Sequence, residues 1–541
     1  MPIEKLDLDV LLIIFEICVD LDPPCREHGL GFIRLSHVNR RWRNLALALS
    51  PALWGRIISY SWCQAMFDTI LSRSRDASLI LDMYLCNDVH VKQFMPTKEI
   101  ERLLVPRAHT IILDDYDDLT LTGRTLTLLQ TLRRYCGRVF DRHDPIVAPS
   151  LRRLSVSDFL WSINAPSLRI LEVDVACVTS DLIEDLEVAD AWLTALPTFL
   201  PAHPCLEEVT INAHAESDIN GYDWDDLAPR IRSGMEALER GLPAVQMRCL
   251  RTLKVSAHAL FLAFMWRSLA VPPTATVQLR ILEGLHDHMI DVLKAIHTYP
   301  SDPTYNMLTI SHSLTKNPRH QETNIIMSGA DVGTATGSCT LRCPQDRTHF
   351  AFQSALDQFS VSVGKHLRTL CLQIYVDIHD ITRGAGTYAS IESLEFRGRA
   401  STLAQILSSY QFPRLRTMVV DVGQKYDPEE MRSLARELRM RRTKLQHLVL
   451  RGKTNFREET RLDGDVRVLR LHKAALTVVD ERTGLFKRAP QPISKKQDAR
   501  RTSGAAGTAR TTSGGMGRAR VSLTTTTPQV SRVMSARPPW R

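Results

Sequence analysis

The chain has 541 residues, 44% of them apolar and 24% charged, which allows a large core and about three to four domains by length. Its net charge is +8, but residues 485–541 hold twelve Lys or Arg against one Asp, so this tail alone is +11, the rest of the chain is −3, and the totals imply no large basic face on the body. The most membrane-like run, residues 8–19, is shorter than the ~20 residues that cross a bilayer; no secretory leader is evident, and eleven cysteines without paired spacing fit a reducing compartment, so the expected location is cytoplasm, nucleus or both.

The first predicted helix covers 9–20, with Asp7 or Asp9 placed to cap its exposed N–H groups. Val10, Ile14, Ile17, Cys18 and Leu21 recur at helical spacing, while Leu11, Leu12, Ile13 and Phe15 fill the other faces. A helix apolar nearly all round must be buried on more than one side, which so short a segment cannot achieve alone. A second predicted helix sets Leu35, Val38, Trp42, Leu45 and Leu49 on one stripe, turns Arg40, Arg41 and Arg43 elsewhere, and ends at Ser50-Pro51.

In order along the chain, Leu6, Val10-Leu11, Ile14-Phe15, Leu35-Ser36, Val38, Arg40-Arg41-Trp42 and Leu53-Trp54 make residues 1–58 resemble the F-box, in the form of the divergent F-box proteins of filamentous fungi. The alternative is the helical core of an ordinary domain. The resemblance implies docking to a Skp-type adaptor, and through it to a cullin-based ubiquitin ligase. It also implies that Leu6, Val10, Leu11, Ile14, Phe15, Leu35, Val38, Trp42, Leu53 and Trp54 are the adaptor contacts. Asp7 stands where the family usually has proline, and Asn39 where it often has cysteine.

Residues 59–77 read as a helical linker, with Trp62, Met66 and Ile70 at four-residue spacing beside Phe67 and Leu71. From 78 the pattern becomes short apolar strands, first at 79–81 and 110–113. A phrase Leu-x-x-Leu-x-Leu, with aliphatic substitutions, then starts at Leu151, Leu168, Leu206, Leu250, Leu367, Ile391, Leu415 and Leu445. This resembles the leucine-rich repeat, in which each unit lays down one parallel strand and returns through a helix or loop. The repeat leucines are expected in the core, with binding left to the outward side chains between them. The starts at Leu367, Ile391 and Leu415 are 24 residues apart, but earlier gaps of 17, 38 and 44 are irregular. His214, Tyr375 and Lys453 occupy positions where the repeat expects asparagine. The expected fold is therefore α+β or α/β: an N-terminal helical F-box, then an irregular repeat region over 78–484.

Within that region a return helix is expected over 428–441. Residues 301–345 read as an insertion with strands near 324–327 and 338–341, either decorating the binding face or capping a gap. A closing strand is expected within 464–480, hairpinned to 476–479. Beyond Lys487 the Ser, Thr, Gly, Ala, Pro and Arg content cannot bury enough apolar surface to order the chain, so 485–541 is expected to be a disordered basic tail.

Chemistry-bearing motifs are sparse. Cys339, Cys343 and His349 fall short of the four ligands zinc normally takes. His286-Asp287-His288 reads as a solvated helix end, Gly329, Gly333 and Gly337 are not followed by Gly-Lys-Ser or Gly-Lys-Thr, and there is no Gly-x-Ser-x-Gly elbow. No catalytic, cofactor or metal residue is assigned, and a binding role ranks above an enzyme. Lys487, Arg488, Lys495, Lys496, Arg500 and Arg501 form spaced basic pairs that read either as a nuclear import signal or as a solubilising tail. The two resemblances together imply a substrate receptor of a ubiquitin ligase that binds an unidentified protein target. The alternatives are an adaptor-bound scaffold without proteolytic output and, below it, a nucleic-acid-associated protein using the tail.

Overall fold

Asp7 accepts the Leu8 N–H at 2.6 Å and opens helix α1 (Leu8–Leu21). The structure, a computed structural model, describes residues 6–484 apart from 25–28, 84–96, 114–119, 135–144, 158–162, 177–198, 215–232, 234–243, 283–285, 297–306, 314–321, 330–337, 345–354, 360–365, 375–385, 422–427, 442–443, 452, 455–474 and 482. Phe15 and Leu11 on α1 are fully buried, and Phe15 meets Trp42 edge-on with ring centroids 5.6 Å apart.

The single second helix expected after α1 is instead broken into short pieces. A 3-10 turn (Gly31–His37) is followed by α2 (Arg40–Asn44), a π turn (Leu45–Leu49) and α3 (Pro51–Arg56). The break has a local cause: Asn39 is extended and its Oδ1 accepts the Trp42 N–H at 2.8 Å, so it starts a new helix as an N-cap. Val38 and Trp42 consequently do not share a stripe. Gly31 has φ +50, and a Cβ there would lie 2.4 Å from the Asp22 carbonyl oxygen, so only glycine closes this turn. A short 3-10 helix (Ile58–Tyr60) and α4 (Gln64–Ser74) occupy the segment expected to link the two regions; Trp62 precedes α4, while Phe67 and Ile70 are buried.

Among the described residues, the eight strands that carry the repeated phrase join eight others in one sheet. They are β1 (Leu79–Asp82), β2 (Ala108–Leu113), β3 (Thr131–Arg134), β4 (Arg153–Ser157), β5 (Ile170–Ala176), β6 (Glu208–His214), β7 (Thr252–Ala257) and β8 (Thr276–Ile281). The second half comprises β9 (Met307–Ser313), β10 (Glu322–Ser328), β11 (Ser338–Pro344), β12 (Thr369–Ile374), β13 (Ser393–Gly398), β14 (Thr417–Asp421), β15 (Leu445–Arg451) and β16 (Ala475–Asp480). Neighbours follow chain order except between β8 and β12, where the spatial order is β8-β11-β10-β9-β12. Pairing is parallel throughout, save that β10 runs antiparallel to both β9 and β11. The molecule is therefore α/β, with one large mixed sheet.

The three apolar positions of each phrase turn to the core, as at Leu367, Leu370 and Leu372, or Leu445, Leu448 and Leu450. Register passes from strand to strand at the entry turn. The carbonyl after the first leucine accepts two successive N–H groups of the next unit: Arg152 O from Arg169 and Ile170, both at 2.9 Å, and Glu392 O from Arg416 at 2.8 Å and Thr417 at 3.0 Å. Within 301–345 the described residues contain the strands expected near 324–327 and 338–341. The segment supplies β9, β10 and β11, whose Leu308, Ile325 and Leu341 are buried in phase with Leu279 on β8 and Leu370 on β12. At the far end β16 pairs parallel with β15; residues 464–474 of the expected hairpin lie outside the described residues.

The later helices are α5 (Thr97–Leu103), α6 (Ala259–Ser268), α7 (His286–Ile296), α8 (Ala400–Ser409) and α9 (Pro428–Met440). α6 packs on β7, β8 and α7, and α8 packs on β13 and α9, so helices cover the apolar side of the sheet. The contacts gather Met1–Leu485 into one compact unit.

Candidate docking surfaces

The helices before the sheet bury their apolar side chains in a core continuous with that of β1. Trp54 is buried, its Nε1–H donates to Ala46 O at 2.6 Å, and the Arg73 guanidinium lies 4.5 Å over its ring. Arg41 reaches back to donate to Leu6 O at 2.7 Å, and Arg56 donates to both carboxylate oxygens of Asp20 at 2.6 Å. The two departures from the F-box pattern, Asp7 and Asn39, thus each cap a helix.

The ten residues expected as adaptor contacts separate into three groups. Leu11, Phe15, Trp42, Leu53 and Trp54 lie in the core of the unit, where they hold the surface from beneath. Leu6, Ile14 and Leu35 are half-buried, and Val10 and Val38 are open, at 43% and 56% exposure. Besides Val10, the accessible apolar surface of α1 includes residues outside that set: Ile13 is 54% and Ile17 52% exposed, and Leu21 is more open still. Val10, Ile13, Ile17 and Leu21 follow helical three- and four-residue steps, so they form one stripe, opposite the stripe of Leu11, Phe15 and Val19. The spacing was the signal for them; uniform apolarity of the helix hid which stripe faces out.

The second surface is the open side of the sheet, where the side chains between the buried ones emerge. On the flanks its charges are matched: Arg153 with Glu172 at 2.6 Å, Arg397 with Asp421 at 3.2 Å, and Arg451 with Glu481 at 2.8 Å. At the strand-entry rim Glu207 sits between Arg169 at 3.2 Å and Arg251 at 3.9 Å. In the centre, Lys254, Gln278, Arg280 and Arg342 are exposed.

Cys339 and Cys343 occupy alternate inward positions of β11 and are buried. Burial pushes the Cys339 thiol far up, and the Cys371 thiol to about 11, which keeps both protonated and poor as ligands. His349 lies outside the described residues, and among the described residues no three His, Cys, Asp or Glu side chains gather as a metal site. Among them also, no helix is long and apolar enough to cross a membrane. Lys487, Arg488, Lys495, Lys496, Arg500 and Arg501 all lie outside the described residues. No protein-family model matches the chain, and no curated protein matches it.

Proposed function

We propose that this protein is the substrate-recognition subunit of a Skp–cullin–F-box ubiquitin ligase, docking the adaptor through its N-terminal helices and a target protein through the open face of its sheet. The observation that carries the reading is the stripe Val10, Ile13, Ile17 and Leu21, left exposed on a helix whose opposite side is already packed. Isolated exposed leucines are ordinary on a protein surface, but a contiguous apolar stripe marks an interaction site. Support for the repeat reading comes from strands that pair parallel and in chain order outside β9–β11, with α6 and α8 packed against them.

In this reading the chain supplies no nucleophile and no metal. It raises the effective concentration of a target lysine near a recruited conjugating enzyme. The docking helices are built onto the first strand, so the distance between adaptor and target is set by the fold. The test is capture of the full chain by a Skp-type adaptor, with cullin scored in the same pulldown. Ile17→Asp together with Val38→Asp should abolish capture while leaving the thermal melt unchanged. Capture that survives both substitutions would sink the reading, and adaptor binding without cullin would leave a scaffold rather than a ligase subunit.

A further inference from the structure

The open face of the sheet changes chemistry in its middle. On the six neighbouring strands β7, β8, β11, β10, β9 and β12, the outward positions in register with Thr252, Lys254 and Ser256 carry no Asp or Glu. They carry Lys254, Arg280 and Arg342, set among hydroxyl and amide side chains such as Gln278 and Thr340. Carboxylates return on both flanks, with Glu172 and Glu208 on one side and Glu395 and Asp421 on the other, and at the end of β10, where Glu322 holds the register position beyond Asn324. A body that is acidic in total thus holds a basic panel at its centre.

The arrangement carries a cost. Arg280 and Arg342 stand directly opposite each other across β8 and β11, and like charges in that position destabilise a sheet. Lys254 stands one strand further over and one pleat nearer the strand entry. With strands ~4.8 Å apart, the three cations span ~10 Å, about the length of three to four residues of extended chain.

We infer that this panel docks an acidic segment of a partner protein, a short run of Asp and Glu laid across the strands. Two guanidinium forks side by side suit consecutive carboxylates, each taken as a bidentate pair. A phosphate site usually adds backbone N–H groups from a helix N-terminus or a nest, whereas here the strand amides are engaged in ladder pairing. Single-stranded nucleic acid calls for aromatic stacking platforms, and none of the panel's outward positions is aromatic. The inference names the chemistry of the target and rests on the receptor reading for its biological use, though not for the binding itself.

The test is fluorescence anisotropy with the full chain and a labelled peptide holding about four consecutive Glu between Ser-Gly flanks. Parallel arms use its Gln counterpart, a phosphoserine counterpart and a single-stranded oligonucleotide. The Glu peptide should bind in a salt-sensitive way and the Gln peptide should not. Arg280→Glu with Arg342→Glu, or the milder Arg342→Gln, should weaken it, the double variant by at least ~10-fold, whereas Arg416→Glu on the rim should change it less than ~2-fold. The inference is overturned by absence of saturable Glu-peptide binding at low salt, by an equal loss in the Arg416 variant, or by tighter binding of the phosphoserine peptide or oligonucleotide through the same arginines. Adaptor capture by the unsubstituted chain separates the two readings: capture without Glu-peptide binding refutes the panel alone, and Glu-peptide binding without capture refutes the receptor alone.

Discussion

The Ser59 hydroxyl accepts the backbone N–H of Asp82 at 2.8 Å and lies 3.3 Å from the carbonyl of Ile80, to which it donates. One side chain thereby satisfies an N–H and a C=O on the free edge of β1, where a further strand would otherwise pair. Unpaired edges invite association with other chains. The N-terminal helical segment therefore also closes the beginning of the sheet, with α3 and the following 3-10 turn both resting on β1.

Ser59→Ala should cost about 1–3 kcal/mol, because it strands a partly buried backbone donor rather than only removing a bond. Urea unfolding of the full chain reads this as a lower midpoint. In the same way, a fragment ending at residue 58 should show no cooperative melt in circular dichroism. It lacks Phe67, Ile70, Leu79 and Leu81, which belong to the same buried cluster as Trp54, Ile57 and Ile58. A cooperative melt of that fragment would show that the helices fold independently of the sheet.

Gly55→Ala tests the same junction from the other side. A Cβ at Gly55 would sit 2.5 Å from the Ser78 carbonyl oxygen, a backbone atom that cannot swing away as a side-chain tip can. The substitution should destabilise by about 1–3 kcal/mol through overpacking, despite alanine's better helix propensity. A melting temperature at or above that of the unsubstituted chain would mean that α3 is free to move off β1.

The helix over α1 and the eight repeat strands were legible because their apolar positions recur at fixed steps. β3 was hidden because Arg134 stands where the phrase ends in an aliphatic residue, and β8 because Thr274, three before the buried Val277, stands where it begins with leucine. Asn39 broke the second helix: it caps by a side-chain hydrogen bond, which apolar periodicity cannot report. The basic panel was invisible for a topological reason. Lys254, Arg280 and Arg342 are distant in sequence, and the antiparallel return through β10 is what brings Arg342 beside Arg280.

Acid should weaken the fold through two histidines. Burial holds the imidazoles of His109 and His203 below their ordinary value, against the opposing pull of hydrogen bonds to the Leu79 backbone and to the Phe199 carbonyl. A lowered folded value means that the unfolded chain binds the proton first. Stability is then full above about pH 6.5 and falls as the pH drops through that value. Thermal melts between about pH 7.5 and 5.5 should show this decline, and His203→Gln should flatten part of it. A flat profile in the unsubstituted chain would mean that neither histidine resists protonation.

Phe15 and Ile17 are two residues apart on α1 and should separate folding from docking. Phe15 is fully buried and edge-on to Trp42, so Phe15→Ala removes a large group from a packed site and should cost about 3–5 kcal/mol. Any loss of adaptor capture in that variant then follows from unfolding and says nothing about the interface. Ile17 points to solvent, and Ile17→Asp should change stability by less than about 0.5 kcal/mol. An aspartate in the middle of an apolar contact would nevertheless be desolvated without a partner, so capture should weaken by at least ~100-fold if the stripe is the docking surface. Calorimetric melts and adaptor titrations on the two variants give four numbers that must cross: a large stability loss for Phe15→Ala, and a large affinity loss at preserved stability for Ile17→Asp. If Ile17→Asp keeps both its melt and its affinity, the exposed stripe of α1 is not where the adaptor binds.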